Sequence, residues 1–98
     1  MDVLCYSKDN KIVGVTKFSV KLHSAIFTSS YWGTCKMLKK TKDFYKTSLS
    51  IFGNDIEEFI LDLKNIKTFL EEEYIVEIDI LIDIVSKNDI FNIKFIGD

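Results

Sequence analysis

The chain has no proline, no arginine and no glutamine, and only four glycines, one histidine and one tryptophan among 98 residues. Each shortage excludes something. Without proline and with little glycine, turns must be built from Asn, Asp, Ser and Lys, and long uninterrupted elements are allowed. A single histidine leaves no imidazole pair for a metal or an acid–base relay. His23 follows Lys17, Ser19 and Lys21 in an alternating run, which predicts a place on a solvent face. Cys5 and Cys35 lie far apart with no Cys-x-x-Cys spacing, so neither zinc nor redox chemistry has a foundation and two free thiols are expected. Glycine-rich phosphate loops are absent. The most apolar stretch, Tyr74 to Val85, is twelve residues and carries Glu77, Asp79 and Asp83, too short and too charged to span a bilayer. Met1 to Ser7 show no basic segment followed by an apolar run. The expectation is a cytoplasmic protein that is no enzyme and needs no metal or cofactor.

What is present is an ordinary globular mixture. Hydrophobic residues make up 47% of the chain and charged residues 29%, which suits one domain over residues 1–98 rather than a disordered segment. The net charge of −2 hides an asymmetry. Residues 1–49 hold nine lysines against three acids, and residues 50–98 hold four lysines against twelve acids. Such a division concerns partners and encounter rates rather than fold.

Periodicity predicts an α+β domain. Val3 to Tyr6 reads as a short strand closed by a polar turn at Ser7 to Asn10. Ile12 to Val15 resumes extended structure, with Gly14 marking a bulge. From Thr16, alternation of Phe18, Val20 and Leu22 against Lys17, Ser19, Lys21 and His23 predicts a half-buried antiparallel strand. Ala25–Thr28, Tyr31–Leu38 and Phe44–Phe52 read as further strands, with Lys39 to Asp43 as a polar connection. A helix is predicted from Asp55 to Glu72. Asn54 can cap it, Glu57 completes a capping-box pattern, and Ile56, Phe59, Ile60, Leu63, Ile66 and Leu70 form one stripe. Tyr74–Val85 and Ile90–Ile96 then pair as a hairpin around Ser86 to Asp89, with Lys94 diagonal to Asp79 and Asp83. The expected architecture is a twisted antiparallel sheet of about six to seven strands packed on or around a single amphipathic helix.

Two features exceed what such a fold requires. Glu71, Glu72 and Glu73 fall at the expected helix C-terminus, where the dipole is negative and acids cost stability. Leu61 and Phe69 leave the buried stripe and lie among Glu58, Asp62, Asn65 and Glu72, as apolar anchors within a charged rim would. Glu77, Asp79 and Asp83 project from one face of one expected strand. Hard cations need ligands converging from several segments, so a solvated face rather than a metal site is expected. These ten residues (Glu58, Leu61, Asp62, Phe69, Glu71, Glu72, Glu73, Glu77, Asp79 and Asp83) are the candidate partner-binding set. The rival surface is Lys36, Lys39, Lys40, Lys42 and Lys46 with Tyr31, Trp32 and Tyr45, the makeup of a nucleic-acid regulator. An isoelectric point near 5.4 disfavours it, because phosphates would meet the acidic half. A small-ligand carrier is a third reading, should the sheet curl around a cavity.

The order of strands, the helix Asp55-Ile56-Glu57-Glu58-Phe59-Ile60-Leu61-Asp62-Leu63 and the acidic segment through Glu77-Ile78-Asp79 is similar to immunity proteins of bacterial contact-dependent growth-inhibition and related polymorphic toxin systems. The resemblance covers the second half of the chain and rests on pattern and size, without a motif that transfers residue by residue. It implies a cytosolic protein that binds and neutralises a cognate toxin domain, commonly a basic nuclease whose active site an acidic surface covers. Phage-encoded inhibitors of host nucleases share this profile.

Overall fold

The computed structural model describes residues 1–43 and 48–97. Strand β1 (Asp2–Tyr6) and strand β2 (Ile12–Lys17) form an antiparallel hairpin. Its turn is closed by the Ser7 N–H donating to the Lys11 carbonyl at 2.9 Å, with Asn10 at φ +62°, a conformation Asn tolerates. The expected bulge is there: Cys5 faces Gly14 while Tyr6 faces Ile12, leaving Val13 as the extra residue.

The chain then departs from the alternating pattern. Val20–Thr28 is helix α1, not a strand. Its N-cap is Ser19, whose hydroxyl accepts the Leu22 N–H at 3.1 Å. Phe18, Leu22 and Ile26 are fully buried, at i, i+4, i+8 spacing, while Val20 is exposed. The same three apolar residues fit either period, and the capping serine decides between them. Strands were expected at Ala25–Thr28 and Tyr31–Leu38. The first lies within α1, and two short 3-10 turns, Trp32–Thr34 and Leu38–Thr41, occupy the second region. Strand β3 spans Ser48–Phe52, and the expected start of that strand, residues 44–47, lies outside the described residues.

Helix α2 runs Asn54–Lys67, about a turn shorter than expected. Its N-cap is Gly53 rather than Asn54, at φ +54° and ψ −125°. That backbone conformation is strained for any side-chain-bearing residue, which is why glycine stands there. A second helix, α3 (Glu72–Val85), occupies the segment expected to be the first arm of the C-terminal hairpin. Only the second arm is a strand, β4 (Asn92–Ile96). Lys94 therefore does not meet Asp79 and Asp83. It lies on β4 opposite Leu4 and Ser50, with its ammonium 5.9 Å from the centre of the Tyr6 ring.

The result is α+β, with four strands and three α-helices among the described residues rather than six or seven strands and one helix. The sheet is antiparallel in the order β2-β1-β4-β3, open at both edges and therefore not curled into a barrel. One face, with Val3, Cys5, Ile51, Ile93 and Phe95, is buried under the helices. α3 packs over β2 and α2 over β3, and the two helices pack against each other. α3 passes over Gly14 of β2: a Cβ there would meet Ile84 Cγ2 at 3.4 Å and Cys5 Cβ at 3.5 Å, in van der Waals contact. Phe59 of α2 meets Phe95 of β4 edge to face at 5.1 Å, and each fully buried ring or aliphatic chain is worth about 1.5–3 kcal/mol. The opposite sheet face is uncovered and mixes exposed Val15, Ile96 and Phe52 with Lys17 and Lys94.

Candidate interaction surface

The acids of the second half divide into two groups. Asp62 and Glu77 are internal fasteners. Asp62 sits on α2 one hundred degrees around the helix from Leu61, only 6% exposed, and its Oδ2 accepts the N–H groups of Met37 and Leu38 at 2.7 and 3.0 Å. It thereby caps the 3-10 turn Leu38–Thr41 and ties the lysine-rich segment to α2. Glu77 accepts the Ser19 N–H at 2.9 Å and the Ser19 hydroxyl at 2.7 Å, placing a carboxylate at the positive end of α1. Neither is placed to meet a partner first.

The second group faces solvent. Glu71, Glu72 and Glu73 end no helix: they begin α3, where acids are favoured by the positive dipole end. The expected destabilisation therefore does not arise. At one hundred degrees per residue, Glu72, Glu73, Val76, Asp79, Ile80 and Asp83 fall within one outward arc of α3. That arc is four acids and two β-branched apolar residues, with no lysine on the helix. Val76 is 59% exposed and Ile80 53%. Asp79 is partly neutralised by the Lys67 ammonium at 2.6 Å, and among the described residues no other ion pair involves the arc.

Of the remaining candidates, Glu58 is half-buried on α2 and Leu61 is exposed beside Lys64 and Glu57. Phe69 follows the end of α2 and stacks on Tyr31, with ring centres 3.7 Å apart and planes 11° from parallel. Leu61 and Phe69 therefore do not form one anchor pair. Val76 and Ile80 instead form an exposed apolar pair on α3, and sequence reading missed them because it assigned them to the buried face of a strand. A helical projection of residues 72–85 shows them at once.

The lysine-rich rival is partly consumed by the fold. Lys42 stands over the Trp32 ring at 4.6 Å, Trp32 packs on Phe27, and Tyr31 is stacked on Phe69. Lys46 and Tyr45 lie outside the described residues. His23 is not on a solvent face: it is half-buried between Phe18 and Phe27, with Nε2 2.7 Å from the Thr41 carbonyl.

Among the described residues no group of three His, Cys, Asp or Glu side chains is placed to hold a metal ion, and Glu77 turns inward to Ser19, away from Asp79 and Asp83. No helix is long and apolar enough to cross a membrane. Both cysteines are free and buried. Burial pushes both thiols up, helped by Asp89 at Cys5 and by Asp62 at Cys35, so both are poor nucleophiles at neutral pH. The Tyr74 hydroxyl is raised chiefly by the charge of Glu73, then by burial, a hydrogen bond with Glu73, and Glu71. This fits a negative potential at the start of α3. Comparison with protein-family models, with curated proteins and with solved structures finds no match to this chain.

Proposed function

We propose that the chain is a binding protein that docks a cationic partner on the outward face of α3, and that the partner is a basic toxin domain which it neutralises as an immunity protein does. The observation that carries this reading is the exposure of Val76 and Ile80 within an arc whose other members are Glu72, Glu73, Asp79 and Asp83. Apolar anchors supply affinity, and a surrounding field of one sign supplies steering and selects against acidic competitors. A helix packed on a sheet through Ile78, Leu81 and Val85 presents that arc rigidly, which lowers the ordering cost of association. The uncovered sheet face carries Lys17 and Lys94 and does not suit a basic target.

The test is an inhibition titration against the toxin domain recovered by pull-down with this chain as bait. Activity should fall to zero at one equivalent. The double variant Val76→Asp/Ile80→Asp, at two exposed positions and with circular dichroism unchanged, should weaken the complex by about thirtyfold or more, the loss of roughly 2 kcal/mol expected of a central anchor. Unchanged inhibition by the variant would remove α3 from the account. Absence of any complex at micromolar concentrations would remove the toxin partner.

A further inference from the structure

At the start of α3, a cleft of about 350 Å³ opens where the last turn of α1 meets the connection between α2 and α3. Thr28 and Ser29 line one side, and Phe69, Glu71 and Tyr74 the other. Several independent features make this cleft seek a cation. α1 ends here with no basic residue in its last turn, so the negative end of its dipole is uncompensated. Glu71 occupies the N-cap position of α3, yet its side chain makes no capping bond. Its carboxylate suits the positive end of the α3 dipole, but its oxygens accept no capping N–H from that helix. The Phe69 and Tyr31 rings, stacked at 3.7 Å and both largely exposed, offer electron-rich surface beside that carboxylate. Lys67, the nearest base before the cleft in sequence, is held by Asp79. The Glu71 carboxylate and the rings of Phe69 and Tyr74 thus line a concavity into which the fold sends no cation of its own that the described contacts show.

We propose that this cleft receives an arginine side chain of the partner, its guanidinium laid on the Phe69–Tyr31 ring pair and its N–H groups donated to Glu71. A guanidinium fits better than an ammonium because its plane stacks on a ring while its edge forks onto a carboxylate. The proposal rests on the reading of α3 as the docking surface for a cationic protein. It adds the point that fixes register: one basic anchor at the N-terminal end of α3, beyond the apolar pair Val76 and Ile80.

The experiment uses the full chain and two probes, the peptide acetyl-Gly-Arg-Gly-amide and its citrulline counterpart, which keeps the shape and loses the charge. In two-dimensional amide NMR, the arginine peptide should shift Ser29 and the residues from Phe69 to Tyr74 saturably, with the citrulline peptide at least tenfold weaker. Glu71→Gln and Phe69→Leu should each weaken the arginine peptide by about fivefold, the size of one exposed cation–π or ion-pair contact. Unchanged amide dispersion elsewhere in the spectrum checks that each variant keeps the fold. Val76→Asp/Ile80→Asp should leave the peptide response intact. Equal response to both peptides, an arginine response that does not saturate, or indifference to Glu71→Gln would overturn the arginine site. Each of those outcomes leaves the α3 docking reading standing, since that is decided by inhibition with the Val76 and Ile80 variant. Conversely, a saturable arginine site combined with a variant that inhibits normally would sink the docking reading alone.

Discussion

α2 and α3 are each fourteen residues long, pack on the same face of the sheet and touch one another, yet they treat charge differently. α2 matches its own dipole at both ends, with Asp55 and Glu57 in its first turn and Lys64 and Lys67 in its last. Its outward arc is mixed: Glu57, Glu58, Leu61, Lys64 and Asn65. α3 matches its dipole only at the start. No base stands in its last turn, where Asp83 faces solvent, and its outward arc is acidic and apolar throughout. Folding explains the charges of α2, whose outward arc leaves Leu61 as its one large exposed apolar side chain. In α3, folding explains the inner stripe and the first turn, but neither Asp83 nor the exposure of Val76 and Ile80. These unexplained features are what the proposed docking of a cationic partner on α3 would account for.

That contrast is sharpened by removing the acids each helix keeps inside. Asp62→Ala should have the largest effect. It strips two backbone N–H groups of a charged acceptor at a site closed to water, and about 3 kcal/mol of stability should go with it. Urea unfolding reads this directly, with Glu58→Ala as the companion expected within about 0.5 kcal/mol of the parent. A loss below about 1 kcal/mol for Asp62→Ala would mean that the segment Met37–Thr41 is held by something else. Glu77→Gln should cost less, about 1–1.5 kcal/mol, because the amide keeps an acceptor for Ser19 but loses the charge at the start of α1. Hydrogen exchange localises this loss: the amides of Leu22 and Ile26 should exchange faster while those of α2 do not. Uniform acceleration would mean that Glu77 supports the whole fold rather than α1.

How much of this was legible beforehand follows from the same two helices. α2 was legible because its pattern fits one period only: Ile56, Phe59, Leu63 and Ile66 recur at three and four residues, with polar residues between them. Segment 74–85 was not, because beside its apolar residues at every even position it holds Leu81 and Val85, and Tyr74, Ile78, Leu81, Ile82 and Val85 together satisfy helical spacing equally well. β-branched composition favoured the strand, and burial against β2 through Gly14 and Ile84 decided for the helix. Phe18, Leu22 and Ile26 repeat the ambiguity in α1. The hairpin β1–β2, its turn and its bulge were legible because Asn10 and Gly14 carry backbone meanings of their own. Among candidate residues, Glu71, Glu72, Glu73 and Asp83 were found as surface acids. Asp62 and Glu77 were not recognisable as internal caps, because their partners, Met37, Leu38 and Ser19, lie 24 to 58 residues away.

The smallest expected effect on stability is the most telling for function. Asp83 lies in the last turn of α3, where a negative charge opposes the dipole and no base compensates. Asp83→Lys should therefore stabilise the fold by about 0.3–0.8 kcal/mol at low salt, the sum of a removed repulsion and a gained attraction at a helix C-terminus. The same change subtracts two units of negative charge from the docking arc. If that arc steers a cationic partner, association should slow several-fold at low ionic strength and the difference should shrink as salt is added, with dissociation little altered. Glu57→Lys on α2 makes the same change of net charge off the arc and should leave association nearly unchanged. Should both substitutions slow association equally, the partner senses only the overall charge of the molecule, and the distinction between the two helices has no consequence for binding. Should Asp83→Lys destabilise the fold instead, Asp83 serves the structure after all and the argument from its cost is lost. A more stable protein that binds more slowly is the outcome that ties this carboxylate to recognition.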